Sequence, residues 1–298
     1  MKFHIWTAFV YLLVFGNQLY GQSVKKDKAK TSGKTFNYYY MRPEGKVKGI
    51  VILLTGAGER ARSVFGKTDL PNVLTEKGYL TIVPEISNSL IADQHSFEVL
   101  DTLLETQCKK YRVANVVVGG FSAGGAVATS YAEYAVAKHN THNLKGLMAI
   151  DPPLDLERIY ASAERNIKNC DGIIRKQGYA IKGQLDNAFG GSPKEHPNEY
   201  LKHSSYSASA ADGGNAKYLK NLAIRLYSEP DLDFVQKTYC TEMQFDDINS
   251  YDLKGLSKFL VSIGNTQSEY IITKGRGFHS WNIVDAKECA DWIVSVTR

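Results

Sequence analysis

The chain has 298 residues, is 43% hydrophobic and carries a formal net charge of +5. That supplies enough apolar material for one large core, and domains of this size often form a single unit. Apart from Lys25-Lys26-Asp27-Lys28-Ala29-Lys30 the basic residues are scattered, so the charge forms no concentrated footprint and no nucleic-acid partner is expected.

In chain order, Met1-Lys2 is a short positive start, Phe3 to Phe15 is nearly all apolar, and Gly16 to Gln22 is a polar, small-residue exit. This pattern predicts a secretory signal peptide over 1–21 and a secreted or periplasmic protein. The apolar stretch is shorter than the ~20 residues of a membrane span, so no stable span is expected in the mature form. An uncleaved anchor is the alternative, because a cut after Gly21 would leave Leu19 at the −3 position. Residues 22–34 are polar, lysine-rich and without periodicity, which predicts a flexible arm.

Residues 35–298 read as one α/β domain. Thr35 to Met41 is strand-like, and Gly49-Ile50-Val51-Ile52-Leu53-Leu54 is a continuous apolar run, as a strand buried on both faces requires. A helix is predicted over 69–77, a strand over 79–84 and a helix over 95–110. The apolar run 115–119 leads into Gly120-Phe121-Ser122-Ala123-Gly124 and then into a small-residue helix. A strand follows over 144–150 and ends at Asp151-Pro152-Pro153. Residues 154–220 break the alternation: they hold a helical stretch, then a segment rich in Gly, Ser and Pro, and no evident strand. They read as a cap insertion where specificity would lie. Strands resume over 222–227 and 269–273, with helices over 250–263 and 282–296. This alternation implies a mostly parallel central sheet with helices on both faces. Sites in such sheets lie beyond the carboxyl ends of the strands.

Those strand ends carry the candidate chemistry. Gly-x-Ser-x-Gly between a strand and a helix marks a sharp turn that exposes the Ser122 hydroxyl. An ordinary glycine-rich turn is the bland alternative. Thr55-Gly56-Ala57-Gly58 follows an earlier strand, and the amides of Ala57 and Ala123 are the expected oxyanion donors. Nucleotide binding is disfavoured, since the phosphate-binding glycine patterns are absent. A histidine must arrive on a late loop, and of the seven only His279, in Gly275-Arg276-Gly277-Phe278-His279, meets both chain order and strand-end position. For the acid, Asp231 in Ser228-Glu229-Pro230-Asp231 is the first candidate, with Glu229 and Asp151 as the others. This machinery needs no metal or organic cofactor, and no cluster with metal-ligand spacing suggests one. Four cysteines, Cys108, Cys170, Cys240 and Cys289, allow up to two disulfides in an oxidising compartment. The expected pair is Cys240 with Cys289; buried free thiols are the alternative.

The sequence resembles the α/β-hydrolase superfamily over residues 35–298, carried by Gly120-Phe121-Ser122-Ala123-Gly124 and the order Ser122, Asp231, His279. Gly190-Gly191-Ser192-Pro193 with Tyr200 and Ser204-Ser205 is similar to a stretch that precedes the acid strand in peptidase- and esterase-like members. It departs from the family at Thr55-Gly56-Ala57-Gly58, where many lipases and esterases have His-Gly-Gly-Gly, and at Ser228, where many relatives carry glycine. The resemblance implies a serine hydrolase that takes a small-molecule acyl substrate or a peptide. Carboxylester cleavage is the leading expectation and a peptidase or amidase the second. A non-catalytic binding protein on the same scaffold is the third.

Overall fold

The computed structural model describes residues 23–86, 89–138 and 142–298. The expected signal peptide, 1–21, lies outside the described residues. Among the described residues, eight strands form one sheet: β1 (Lys25–Lys30), β2 (Thr35–Met41), β3 (Gly49–Leu54), β4 (Tyr79–Pro84), β5 (Val116–Phe121), β6 (Leu144–Ile150), β7 (Ala223–Ser228) and β8 (Ser268–Ile272). Their spatial order is β1-β2-β4-β3-β5-β6-β7-β8. The pairs β1–β2 and β2–β4 are antiparallel, and the rest are parallel.

Among the described residues, ten α-helices connect or cover the strands: α1 (Val64–Lys67), α2 (Leu70–Glu76), α3 (Gln94–Tyr111), α4 (Ala123–Ala137), α5 (Leu156–Asn169), α6 (Gly172–Phe189), α7 (Pro197–His203), α8 (Leu232–Thr238), α9 (Ser250–Ser262) and α10 (Ala286–Val296). The period of two in a strand sorts the core. Ile50, Ile52 and Leu54 of β3 join Leu100 and Leu104 of α3, Val127 and Tyr131 of α4 and Leu253 and Leu256 of α9. Val51 and Leu53 join Leu70 and Leu74 of α2 and Ala290 and Ile293 of α10. The unbroken apolar runs of β3 and β5 therefore reflect burial on both faces.

Three segments differ from expectation. Residues Lys25–Lys30, read as part of a flexible arm, form β1 and pair with β2 from Lys25 opposite Tyr40 to Lys30 opposite Thr35. Backbone pairing does not require an apolar face, and the tyrosine-rich β2 supplies side-chain partners. The Tyr38 hydroxyl donates to Asp27, and the Lys26 ammonium lies 5.3 Å from the Tyr39 ring centre. A lysine-rich edge strand also discourages further pairing. Residues 154–220 hold more helix than the one helical stretch expected: α5 and α6 precede Gly190, and α7 falls inside the part read as loop-rich. Leu156, Ile159, Leu185, Phe189 and Tyr200 give this insertion a small core of its own. It is tied to α9 by Asp252, which pairs with Arg158 and accepts from the Leu154 and Asp155 amides at 2.9 and 3.1 Å.

The third difference is the disulfide. Cys170 is bonded to Cys240, 70 positions away, and Cys108 and Cys289 are free thiols. The expected Cys240–Cys289 bond does not form because the two residues belong to different clusters. Cys289 on α10 is buried under the sheet, where its thiol contacts the Met148 sulfur. Cys240 follows α8 and packs beside Ile174, Val235 and Met243. The bond therefore joins the α5–α6 turn of the insertion to the segment after α8.

Candidate active site

Residue Ser122 sits between β5 and α4 with φ 53° and ψ −126°, a strained conformation for a residue with a side chain. The turn requires glycine two positions before and two positions after Ser122. A Cβ on Gly120 would lie 2.4 Å from the Gly124 carbonyl oxygen, and one on Gly124 would lie 2.4 Å from the Leu54 carbonyl oxygen. The first turn of α4 thus rests directly on backbone, and the serine is pushed clear of the sheet. Ala123, fully buried, is the first residue of α4, so its amide has no intrahelical acceptor. Ala57 is exposed on the loop after β3.

His279 follows β8 and its Nε2 lies 3.0 Å from Ser122 Oγ. Its Nδ1 lies 2.6 Å from Asp151 Oδ2. A carboxylate can only accept, so Nδ1 is the protonated nitrogen and Nε2 is free to accept from the serine hydroxyl. The Phe121 ring, 4.6 Å from the imidazole between centres, supports it from below.

Asp151 is the first residue beyond β6. It is 3% exposed and has φ 44°, which turns its side chain off the strand line. Its amide donates to the Tyr227 carbonyl and its own carbonyl accepts from Asn249 Nδ2. The second carboxylate oxygen, Oδ1, is buried without a hydrogen-bond partner among the described residues. The imidazole is therefore the side chain's single hydrogen-bond partner there.

Asp231, the first choice for the imidazole's partner, is engaged elsewhere. It caps α8, where its side chain accepts from the Phe234 amide at 2.9 Å. Glu229 is also not at the imidazole. It is 4% exposed, and its carboxylate accepts from the Thr273 hydroxyl and from the amides of Arg276, Gly277 and Phe278 at 2.8–3.1 Å. Burial pushes this carboxyl upward, but the three amides and the hydroxyl outweigh it and hold the group below its ordinary value. Glu229 thus fastens the loop that carries His279. Glu59 is a second fastener that sequence reasoning did not single out. Its carboxylate accepts from the Gly56 amide and from Trp281 Nε1, both at 3.1 Å, and pairs with Lys67. It ties the loop after β3 to the residues just beyond His279, and a lone glutamate after a Gly-x-Gly turn carries no sequence signal for that.

Two cavities bear on the site. One of about 370 Å³ touches His279, Asp151 and Phe278. A larger one, about 600 Å³, lies between α3, α4 and the insertion with Glu133 in its wall; none of Ser122, His279 and Asp151 lines it, so its size does not mark it as the reaction centre.

No protein-family profile and no curated protein matches this chain. Solved structures do match. One, from work on two fungal esterases of Rhizomucor miehei, aligns over 93% of this chain and 85% of its own, with TM-score 0.60 and 13% identity. Carboxyl esterase 2 of the mycorrhizal fungus Tuber melanosporum aligns over 94% and 84%, with TM-score 0.60 and 16% identity. An alpha-beta hydrolase of Vibrio vulnificus aligns over 92% and 81%, with TM-score 0.56 and 17% identity. The chain has the α/β-hydrolase fold.

Proposed function

We propose that this protein is a serine hydrolase that cleaves a carboxylic ester through Ser122, His279 and Asp151. The observation that carries the reading is the continuous hydrogen-bonded chain Ser122 Oγ–His279 Nε2 and His279 Nδ1–Asp151 Oδ2, built at the ends of β5, β8 and β6. Ser122 Oγ forms a bond to the ester carbonyl carbon while its proton passes to His279 Nε2. Asp151 holds the imidazole in the tautomer that can accept, and offsets the charge of the imidazolium. The carbonyl oxygen gains negative charge and is received by the amides of Ala123 and Ala57. Collapse breaks the bond to the alcohol oxygen, which takes the proton from Nε2. Water then attacks the acyl-serine, gives its proton to Nε2, and the acid leaves as Ser122 regains its proton. Esterase structural neighbours agree with this chemistry, and the fold alone would not define it. The Cys170–Cys240 bond fits a protein exported to an oxidising compartment.

Labelling with a fluorophosphonate, read by intact mass and peptide mapping, tests the reading. The expected result is one adduct on Ser122 and none on a Ser122→Ala variant with the same melting behaviour. A folded wild-type protein that takes no label would move the chain to the binding-protein reading.

A further inference from the structure

This inference rests on the ester-cleaving reading and names its substrate. In the step that breaks the ester, the alcohol oxygen must take its proton from His279 Nε2. The alcohol portion therefore lies on the His279 side of Ser122, while the carbonyl oxygen points to the amides of Ala57 and Ala123. The cavity of about 370 Å³ adjoins His279. Its wall includes Gly277, Phe278, His279 and Asp151 and takes nothing from Ser122 or the Gly56–Gly58 loop among the described residues.

Its wall is mixed, with apolar side chains in the majority. Ile174 of α6, Phe234 and Val235 of α8, Tyr239, Met243 and Phe278 line it beside Gln177 and Asn249. Among the described residues that line it, none is lysine or arginine. Of its two carboxylates, Asp151 is engaged by His279 through Oδ2 while its Oδ1 has no hydrogen-bond partner among the described residues, and Asp247 is engaged by Arg165 at 2.6 Å and by the Gln244 amide at 2.8 Å. An anionic group would find no counter-charge there, and a cation would have to compete with His279 or Arg165. The rim adds to the apolar character. Ile173, Phe234 and Tyr239 are 65%, 41% and 44% exposed, which is unusual for a cluster of large apolar side chains around one opening. The two walls are held together by the Cys170–Cys240 bond, since Cys170 lies two residues before α6 and Cys240 follows Tyr239. The volume is at the lower end of the ~300–1,000 Å³ typical of small-molecule pockets, which suits a ring or a short branched chain.

We propose that this cavity is the alcohol subsite, and that the substrate is the ester of a compact, uncharged aliphatic or aromatic alcohol. The acyl portion lies on the far side of Ser122 and is not selected here.

The test is kcat/KM for two ester series on the disulfide-intact protein. The first holds the acyl group as acetyl and varies the alcohol from methyl through butyl to 2-phenylethyl. The second holds methanol and lengthens the acyl chain. The expected result is a rise of about 10- to 100-fold along the alcohol series, the range that burial of an aromatic side chain's worth of apolar surface supplies, and a much smaller rise along the acyl series. Met243→Trp, which fills the cavity, should lower the 2-phenylethyl to methyl ratio toward one. Because Met243 is buried, Ile173→Asp is the companion variant; that side chain is 65% exposed, and a carboxylate at the rim should lower the same ratio without endangering the fold. A Ser122-dependent activity with a flat alcohol series, or one governed by acyl length, would overturn the subsite and leave the hydrolase reading intact. A folded protein that cleaves no ester in either series would overturn both.

Discussion

Single residues in this molecule are held in states that water would not allow. Ser122 adopts a positive φ because glycines on both sides let β5 and α4 press together, and strain of this kind persists only where the surroundings impose it. Glu133 on α4 is another case. It is 4% exposed, its Oε1 has no hydrogen-bond partner among the described residues, and burial alone pushes its carboxyl well above the ordinary 4.5. The folded protein therefore holds this proton more tightly than the unfolded chain. Its contribution to stability is complete below about pH 4.5 and is lost as pH rises toward the folded-state value. Glu133→Gln should remove that slope. Denaturant melts should find the variant about 1–3 kcal/mol more stable than wild type at pH 8, with the difference shrinking toward pH 4. An equal pH dependence in the two proteins would mean that the carboxylate is accommodated without cost.

At the scale of elements, the site depends on loops fastened by buried carboxylates. The segment after β8 is rich in glycine, and Glu229 gives three of its amides and the Thr273 hydroxyl a common acceptor. Glu229 touches neither Ser122 nor the imidazole, so it positions His279 through the backbone. Its carboxyl is held below its ordinary 4.5, so its support is present at neutral pH and fades as pH falls through that depressed value. Glu229→Gln, which cannot accept from all four donors, should lower kcat by about 10- to 100-fold, because small misplacements of a reacting group cost that much. KM should change little, and fluorophosphonate labelling should slow in proportion. An unchanged kcat would assign the loop's order to Glu59 and Trp281 instead.

How much of this was legible in the sequence follows the same division. The buried strands announced themselves as unbroken apolar runs, and the predicted helices 69–77, 95–110 and 250–263 fall within a residue or so of α2, α3 and α9. These signals are local, since they come from what one strand or helix must bury. Ser122 and His279 stood out because a tight turn and chain order constrain them. The acid did not, because three carboxylates satisfied chain order and the choice rests on which strand end faces the imidazole. That is set by the twist of the sheet and the positive φ of Asp151, which no spacing encodes. β1 was missed for a related reason: an edge strand is held by its neighbour's backbone, and its lysines give no apolar alternation. The disulfide was missed because the partners are brought together by the α5–α6 turn folding against α8, a contact between elements 70 positions apart.

At the scale of the whole molecule, the parallel strands bring three carboxyl ends to one place. β5 delivers the serine, β8 the histidine and β6 the acid, while the end of β7 supplies Glu229 as a brace. Around this meeting point the segment between β6 and β7 is anchored twice, to α9 through Arg158 with Asp252 and to the residues after α8 through Cys170 with Cys240. The proposed mechanism requires β6, not β7, to furnish the acid. The most direct measurement is therefore kcat/KM of Asp151→Asn beside Asp231→Asn on the same acetate ester. Asp151→Asn should lose about 10⁴-fold, because an amide there favours the wrong imidazole tautomer, and Asp231→Asn should stay within about twofold with a slightly less stable α8. A large loss in Asp231→Asn with near-normal turnover in Asp151→Asn would contradict it.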